Sequence, residues 1–360
     1  MSYRLRPGVE LFFAASGDAY LLRPGVGDHV VRAPSASDRA LLERVALGSV
    51  EAPDGSTEAG RLEPLVRAGV VVAEPACAPL DGDDAERFSR QLDYLAELGP
   101  PADVQRRLRG ARVAVLGCGG LGTWALGAIA SVGVARFVIV DDDAVELSNL
   151  NRQILYRAAD RGQPKAELAA AWLRAFDPSI EVVARVQRLR SADDVAANVA
   201  GCDAVLVTAD WPPYEITRWV NEACVALRVP FLTAGQAPPL LKIGPTYAPG
   251  AGPCFACHES ELRAGYPLYA ELAEHRARHP PPATTLGPAS GVIGTLLGLE
   301  VLHLLAGDSP IATQGRALLM DMRTLEARWE SVARDPRCPV CGGLFAAGAA
   351  KPRARGGGDP

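Results

Sequence analysis

Glycines and an aspartate between residues 112 and 153 have the types and spacing of a nucleotide-binding site. Residues 112–117 are mostly apolar and β-branched, which predicts a buried strand, and the run GCGGLG at 117–122 fits G-x-G-x-x-G. Such glycines let a ligand approach the backbone, and the N-terminus of the apolar helix predicted over 121–132 offers unpaired N–H groups to phosphate. A second strand, predicted over 137–140, ends at Asp141, where a nucleotide ribose would be hydrogen-bonded.

Basic residues after this aspartate indicate which nucleotide is bound. The glycine pattern alone does not distinguish NAD from ATP. The chain continues with NLNRQ at 149–153 and GQPK at 162–165, which contain Arg152 and Lys165. These two cations suit a triphosphate, because they balance charge that a hydride-carrying dinucleotide does not bring. The sequence therefore predicts an ATP site.

In these motifs the chain resembles the ubiquitin-activating enzyme superfamily, specifically its bacterial ThiF/MoeB/HesA branch, whose members adenylate a C-terminal carboxylate with ATP. The resemblance covers roughly residues 85–345. It implies an α/β fold, with a Rossmann-like ATP-binding domain and a mostly parallel sheet. It also implies that four glycines shape the nucleotide turn, that Asp141 binds the ribose with Asp143 and Asn149 nearby, and that three side chains hold the phosphates. The glycines are Gly117, Gly119, Gly120 and Gly122, and the phosphate ligands are Arg152, Gln153 and Lys165.

The run RFSRQ at 87–91 has two interpretations. From the residues alone it is the solvated start of a helix predicted over 88–98. In the family, an R-[FY]-x-R-Q motif begins the adenylation domain. The resemblance then implies a homodimer in which Arg90 reaches the ATP phosphates of the partner subunit, where an arginine stabilises charge on the transferring phosphoryl group.

Asp210 follows a short apolar strand predicted over 204–208. Open α/β sheets bind ligands at the carboxyl ends of their strands, which makes this aspartate a candidate site residue. The family carries T-D-N here, and its aspartate is needed for adenylation through Mg²⁺ and the α-phosphate. This chain keeps the aspartate but changes its neighbours to Ala209 and Trp211. The alternative is a helix-capping aspartate.

Two C-x-x-C pairs, Cys254 with Cys257 and Cys338 with Cys341, predict a structural Zn²⁺ site with no open coordination position. The first pair is followed by His258, which is also the spacing of haem attachment. That attachment belongs to exported proteins, and the chain shows no export signal. A zinc site would hold the C-terminal segment against the edge of the sheet.

The remaining cysteines are predicted to be non-catalytic. Many activating enzymes carry a cysteine in a crossing loop, where it takes the acyl group as a thioester or persulfide. The corresponding polar, proline-rich segment here, predicted as a loop over 259–289, has none. Cys77 falls in a predicted linker, whereas Cys118, Cys202 and Cys224 suit small packed thiols. We therefore expect no covalent enzyme intermediate.

Residues 1–80 are predicted to form a separate small α+β domain. Short strands are expected over 3–6, 9–14, 19–23 and 29–32, helices over 39–46 and 58–68, and a last strand over 70–73. This order resembles the winged-helix leader-peptide recognition domain of enzymes that modify ribosomal peptides. An ordinary domain used for dimer packing is the alternative. The adenylation domain then occupies 81–345, and the glycine-rich tail 346–360 is expected to be disordered.

Composition restricts the function classes further. The formal net charge of -5 gives no reason to expect a nucleic-acid partner. The chain begins without a signal-peptide pattern and has no apolar run of ~18 residues, so we expect a cytoplasmic protein with no membrane partner. In that compartment, eight cysteines favour metal binding over disulfides.

Together these features lead to one expected reaction and two alternatives. The N-terminal domain makes the chain similar to the peptide-adenylating enzymes of microcin-C-type pathways. We therefore expect adenylation of the C-terminal carboxylate of a ribosomally made precursor peptide bearing a leader segment. One alternative is a sulfur-carrier-protein adenylyltransferase of molybdopterin or thiamin synthesis. The other is a non-catalytic scaffold that presents leader peptide to a cyclodehydratase.

Overall fold

The computed structural model describes residues 1–23, 27–74, 78–279, 284–307 and 310–345. They form two compact units, Met1–Arg106 and the chain from Arg107 onward, so the division falls inside a helix. The domain boundary predicted after residue 80 stays a prediction. Cys77 and the tail predicted over 346–360 lie outside the described residues.

The first unit begins with two three-stranded antiparallel sheets and two helices. One sheet has the order β5-β1-β6 and the other β2-β3-β4. The strands are β1 (Ser2–Leu5), β2 (Glu10–Phe13), β3 (Ala19–Arg23), β4 (Gly27–Val31), β5 (Val50–Glu51) and β6 (Val71–Glu74), and the helices are α1 (Ala36–Leu47) and α2 (Thr57–Arg67). Ser35 and Asp38 form a capping box that starts α1, and Ser56 caps α2. These elements agree with the prediction except for β5, which is too short to leave a pattern.

Three helices follow: α3 (Gly82–Arg87), α4 (Leu92–Leu95) and α5 (Pro101–Gly110). The single helix predicted over 88–98 is wrong, because a turn at residues 88–91 separates α3 from α4. Phe88 is buried in this turn, and the Ser89 hydroxyl donates to the carbonyl of Glu86 at 2.8 Å. A serine that bonds its own backbone in this way competes with continued helix.

The second unit is built on an eight-stranded sheet of order β14-β13-β12-β11-β10-β7-β8-β9. The five strands from β11 to β9 run parallel, and β12, β13 and β14 add antiparallel. This confirms the predicted α/β fold with a mostly parallel sheet. The strands are β7 (Arg112–Leu116), β8 (Arg136–Val140), β9 (Glu181–Arg185), β10 (Ala204–Val207), β11 (Phe231–Ala237), β12 (Leu240–Tyr247), β13 (Arg316–Asp321) and β14 (Ala327–Ser331).

Helices cover both faces of this sheet and form two apolar cores. The helices are α6 (Gly120–Ser131), α7 (Lys165–Phe176), α8 (Ala192–Val199), α9 (Glu215–Leu227), α10 (Phe255–Gly265), α11 (Tyr269–Arg278) and α12 (Gly287–Ala306). On one face, α6, α7 and α12 bury side chains such as Leu126, Leu173 and Ile293. On the other face, α8 and α9 bury side chains such as Val195 and Val220.

Helix α12 packs tightly along α6. A Cβ atom at Gly294 would lie 2.5 Å from the Cβ of Trp124, and one at Gly298 would lie 2.6 Å from that of Ala128. Close approach therefore requires glycine at both positions. In length and composition α12 could also cross a membrane, but 61% of its most apolar window is buried inside the protein, as in a core helix.

The segment predicted as a loop over 259–289 is largely helical, and that prediction is wrong. It contains most of α10, all of α11 and the first turn of α12, although residues 280–283 lie outside the described part. Ion pairs four residues apart, Arg263 with Glu259 and Arg278 with Glu274, favour helix in this polar sequence.

Candidate active site

The turn from β7 to α6 brings the backbone against the neighbouring strand end. Gly117 has a φ of 101°, and a Cβ there would lie 2.6 Å from the backbone nitrogen of Ala209. A Cβ at Gly122 would overlap the carbonyl oxygen of Gly117. Only glycine fits at either position, and Gly119 caps the N-terminus of α6. The turn therefore exposes N–H groups where a phosphate can bind.

Asp141, which directly follows β8, is hydrogen-bonded to this turn. Its side-chain oxygens accept from the backbone N–H groups of Cys118 at 2.5 Å and Asp143 at 2.8 Å. Burial raises the pKa of Asp141, and these two hydrogen bonds oppose that rise. Each carboxylate oxygen has a second lone pair, so Asp141 can still accept from a ribose hydroxyl.

Lys165 begins α7 with its ammonium group almost fully buried. Its Nζ lies 2.7 Å from Oδ2 of Asp143, and the lysine side chain is 6% exposed while the aspartate side chain is 66% exposed. An ion pair of this kind holds a long cationic side chain in one direction. Asp143 thus links Lys165 to the cavity described below.

The predicted residues between 149 and 153 form a compact loop beside the glycine turn. Oδ1 of Asn149 accepts from the N–H of Glu146 at 3.0 Å, and Nη1 of Arg152 donates to the carbonyl of Ser148 at 2.9 Å. A Cβ at Gly120 would lie 3.3 Å from Cδ of Arg152, so this arginine packs on the turn. Gln153 is buried, and its Oε1 has no hydrogen-bond partner among the described residues.

A cavity of about 230 Å³ opens at the carboxyl ends of the central strands. It is lined by five predicted residues, Gly117, Gly119, Asp141, Asp143 and Asp210. The other predicted residues, Gly120, Gly122, Asn149, Arg152, Gln153 and Lys165, do not line it; they lie in the turn, the loop and the α7 start just described. The cavity is also lined by residues that were not predicted as site residues, namely Gln187, Arg188, Leu189, Trp211 and Ile216. The sequence could have indicated them only through their positions after the predicted strands β9 and β10, since ligands bind at the carboxyl ends of such strands.

Arg90 lies in the first compact unit, in the turn between α3 and α4, and its side chain is exposed. Its role in a partner's site stays a prediction.

The loop from β10 to α9 carries Asp210 and ends in an unusual conformation. Tyr214, just before α9, has φ 65° and ψ -38°. Bulky side chains rarely adopt positive φ, and such a conformation costs about 1–3 kcal/mol. Nη1 of Arg276 donates to the Tyr214 hydroxyl at 2.6 Å, and the Tyr214 ring meets the Tyr269 ring edge-on at 5.4 Å.

The four cysteines of the two C-x-x-C pairs converge as predicted. All four sulfur atoms lie within 4.8 Å of one another, and the four residues are buried. Sγ of Cys254 is 4.0 Å from that of Cys257 and 3.7 Å from that of Cys338, and Sγ of Cys257 is 3.6 Å from that of Cys341. A tetrahedral Zn²⁺ with Zn–S bonds of ~2.3 Å separates its sulfurs by ~3.8 Å, so the set fits zinc. The cluster packs beside Val225 of α9, and its place against the sheet edge stays a prediction.

The other described cysteines are unsuited to covalent catalysis. Cys118, Cys202 and Cys224 are buried, and burial raises the pKa of each thiol, to about 11 for Cys202. A thiol with a raised pKa stays protonated near neutral pH and is a poor nucleophile.

Replacing Cys118, Cys202 and Cys224 together with alanine is expected to leave adenylation activity within about threefold of wild type, since none acts as a nucleophile. The measurement is ATP–pyrophosphate exchange with a correctly folded variant. A thiol-sensitive peptide–enzyme adduct in the wild-type mass spectrum, lost in the variant, would contradict this.

Comparison with known proteins assigns the fold and site to a family. The ThiF family model matches residues 88–342. The sulfur carrier protein ThiS adenylyltransferase of Escherichia coli is 36% identical over 265 residues, which cover 72% of this chain and 96% of that protein. The molybdopterin-synthase adenylyltransferase of Escherichia coli is 33% identical over 266 residues, which cover 74% of this chain and 99% of that protein.

Solved structures resemble more of the chain. E. coli MccB with ATP has a TM-score of 0.73 and 22% identity, over 95% of this chain and 100% of that one. The microcin C7 biosynthetic enzyme MccB with N-formylated MccA has a TM-score of 0.72 over the same shares. At this identity the likeness establishes the fold. The family match establishes the activity: the chain belongs to the ThiF family and is an ATP-dependent adenylyltransferase.

Proposed function

We propose that this adenylyltransferase activates the C-terminal carboxylate of a ribosomally made precursor peptide. A carboxylate oxygen attacks the α-phosphorus of ATP, the bond from that phosphorus to the bridging oxygen breaks, and pyrophosphate leaves with the electron pair. The products are a peptidyl-AMP mixed anhydride and pyrophosphate.

The observation that carries this proposal is the segment ahead of residue 88, where the family match begins. The match to the ThiS adenylyltransferase covers nearly all of that protein but only 72% of this chain, whereas the MccB likeness extends over 95%. The extra segment holds two antiparallel sheets, whose edge strands can pair with an extended peptide. A leader-binding unit in front of an adenylation domain suits a short peptide substrate.

Different site residues would bind different parts of ATP. The glycine turn and the N-terminus of α6 bind phosphate oxygens, Asp141 binds the ribose, and Lys165 and Arg152 offset the charge of the triphosphate. Asp210 would be the residue that holds Mg²⁺, because carboxylate oxygens are preferred ligands of this cation, and the ion would offset charge on the phosphates. The unsatisfied Oε1 of Gln153 can accept one hydrogen bond from a bound group.

We also propose that the four clustered cysteines hold one Zn²⁺ in each subunit.

We further propose that the protein forms a homodimer. Helix α12 exposes Val292 and Leu299, and Leu286 precedes it with 51% of its surface exposed. Leu286 lies next to the loop of Arg152, because a Cβ at the adjacent Gly287 would lie 2.6 Å from the carbonyl oxygen of Asn151. An apolar face beside the nucleotide site suits a second copy of the chain, which would bring its Arg90 to the phosphates.

The proposal is tested by ATP–pyrophosphate exchange with the candidate precursor peptide. Exchange should require the free C-terminal carboxylate and stop with the C-terminal amide of the same peptide. Deleting residues 1–80 should weaken binding of the full peptide, measured by fluorescence anisotropy, but leave slow exchange with millimolar leaderless peptide. That residual exchange shows that the remaining domain is folded. Unchanged affinity for the peptide after the deletion would favour the alternative, in which residues 1–80 serve dimer packing.

A sulfur-carrier substrate is the second candidate, and the 36% identity to the ThiS adenylyltransferase favours it. The same assay separates the two: exchange driven by a folded sulfur-carrier protein, and by no short peptide, would overturn the peptide proposal. Exchange with neither would overturn both substrate proposals.

A further inference from the structure

The loop that carries Asp210 is held at both ends. At its β10 end, the Thr208 hydroxyl donates to the carbonyl of Gly117 at 2.6 Å, and the N–H of Ala209 donates to the carbonyl of Leu116 at 2.7 Å. Its other end is Tyr214, with the positive φ described above. Asp210 and Trp211 lie between these ends and line the nucleotide cavity. The contacts at these two ends therefore restrict where the Asp210 carboxylate lies.

A set of side chains from α9, α10 and α11 holds the Tyr214 end. We call Tyr214, Arg218, Glu259, Tyr269 and Arg276 the clasp. Arg218 Nε lies 2.9 and 3.1 Å from the two carboxylate oxygens of Glu259, and the Tyr269 hydroxyl donates to the same carboxylate at 3.3 Å. The Glu259 side chain is only 12% exposed, so its carboxylate is shielded from solvent, whereas the Arg218 side chain is 37% exposed.

Two side chains of α11 contact Tyr214. Arg276 binds its hydroxyl, and Tyr269 packs against its ring. A strained backbone conformation persists only where surrounding contacts over-determine it, and such residues cluster at functional sites. The clasp supplies those contacts, although none of its members lines the cavity.

The geometry points to α11 as a positioning element of the nucleotide site: through Tyr214, Arg276 fixes the loop that presents Asp210 to ATP. Tyr214 and Arg276 are positioning residues, since neither side chain lines the cavity. This inference rests on the proposed role of Asp210 in binding Mg²⁺–ATP.

The test measures Mg²⁺–ATP affinity of the full-length protein by isothermal titration calorimetry. Tyr214→Phe removes only the hydroxyl, and Arg276→Met removes the guanidinium while keeping the chain length. Each should weaken ATP binding by about three- to tenfold, because a hydrogen bond to a charged group is lost. The double variant should be no weaker than either single one, because both remove the same bond. Arg276→Lys should recover part of the affinity.

Matched controls separate this from a general effect on the fold. Tyr266→Phe and Arg278→Met make the same chemical changes at exposed positions next to and within α11, and should leave ATP affinity unchanged. Thermal melting should be similar for all variants. If Tyr214→Phe does not fold, the ATP affinity of Arg276→Met alone decides the test.

Asp210→Asn decides whether the effect passes through Asp210. This variant should weaken ATP binding, and adding Tyr214→Phe or Arg276→Met to it should cause no further loss. An equal further loss in the Asp210→Asn background would overturn the inference, as would unchanged affinity of the single variants. If Asp210→Asn itself binds ATP normally, the proposed role of Asp210 fails instead.

Discussion

Cys341→Ser is expected to remove bound zinc and to lower the melting temperature by about 10 °C or more, because structural zinc contributes directly to folding free energy. Cys254 and Cys257 lie at the start of α10, and Cys338 and Cys341 lie in the segment after β14. The cluster therefore joins two distant parts of the second compact unit. Losing one thiolate leaves three buried ligands without a closed tetrahedral shell. The measurement pairs elemental analysis, expected to give about one zinc per wild-type chain, with thermal melting.

Cys202→Ser is the matched control, since Cys202 is buried but lies outside the cluster. It should keep the full zinc content, whatever small stability loss its burial causes. Wild-type protein without zinc, together with normal melting of Cys341→Ser, would show that the cluster is a set of packed thiols.

The nucleotide turn was predictable because its glycine motif and the aspartate after the next strand have a recognisable spacing. A Cβ at Gly122 would overlap the carbonyl oxygen of Gly117 within the motif, and a Cβ at Gly117 would clash with Ala209, which follows the adjacent strand β10. Asp141 directly follows β8. The C-x-x-C pairs were predictable for a related reason: four soft ligands in two tight spacings have few other uses.

The rest of the site depends on contacts between distant parts of the chain. Gln187, Arg188 and Leu189 reach the cavity only because β9 runs parallel to β8, and nothing in their own sequence marks them. The bond between Tyr214 and Arg276 joins residues 62 positions apart. A positive φ at a tyrosine has no sequence signature, since the conformation exists only when tertiary contacts enforce it. Such elements become visible only in three dimensions.

A mixture of two inactive variants is expected to regain activity if Arg90 acts across a dimer. ATP brings about four negative charges, and Lys165 already pairs with Asp143, so more positive charge is needed near the leaving pyrophosphate. Arg90→Ala and Lys165→Ala should each reduce ATP–pyrophosphate exchange by about a hundredfold or more as pure proteins. Arg67→Ala, an exposed arginine of the first unit paired with Glu63, is the matched control and should remain active.

Mixing equal amounts should restore up to roughly a quarter of wild-type exchange, because half the dimers are mixed and each has one intact composite site. That site combines Lys165 of the Arg90→Ala chain with the arginine supplied by the Lys165→Ala chain. Subunit exchange must first be verified by pull-down with two different tags. Verified mixing without recovered exchange would place Arg90 in its own subunit's site or outside catalysis.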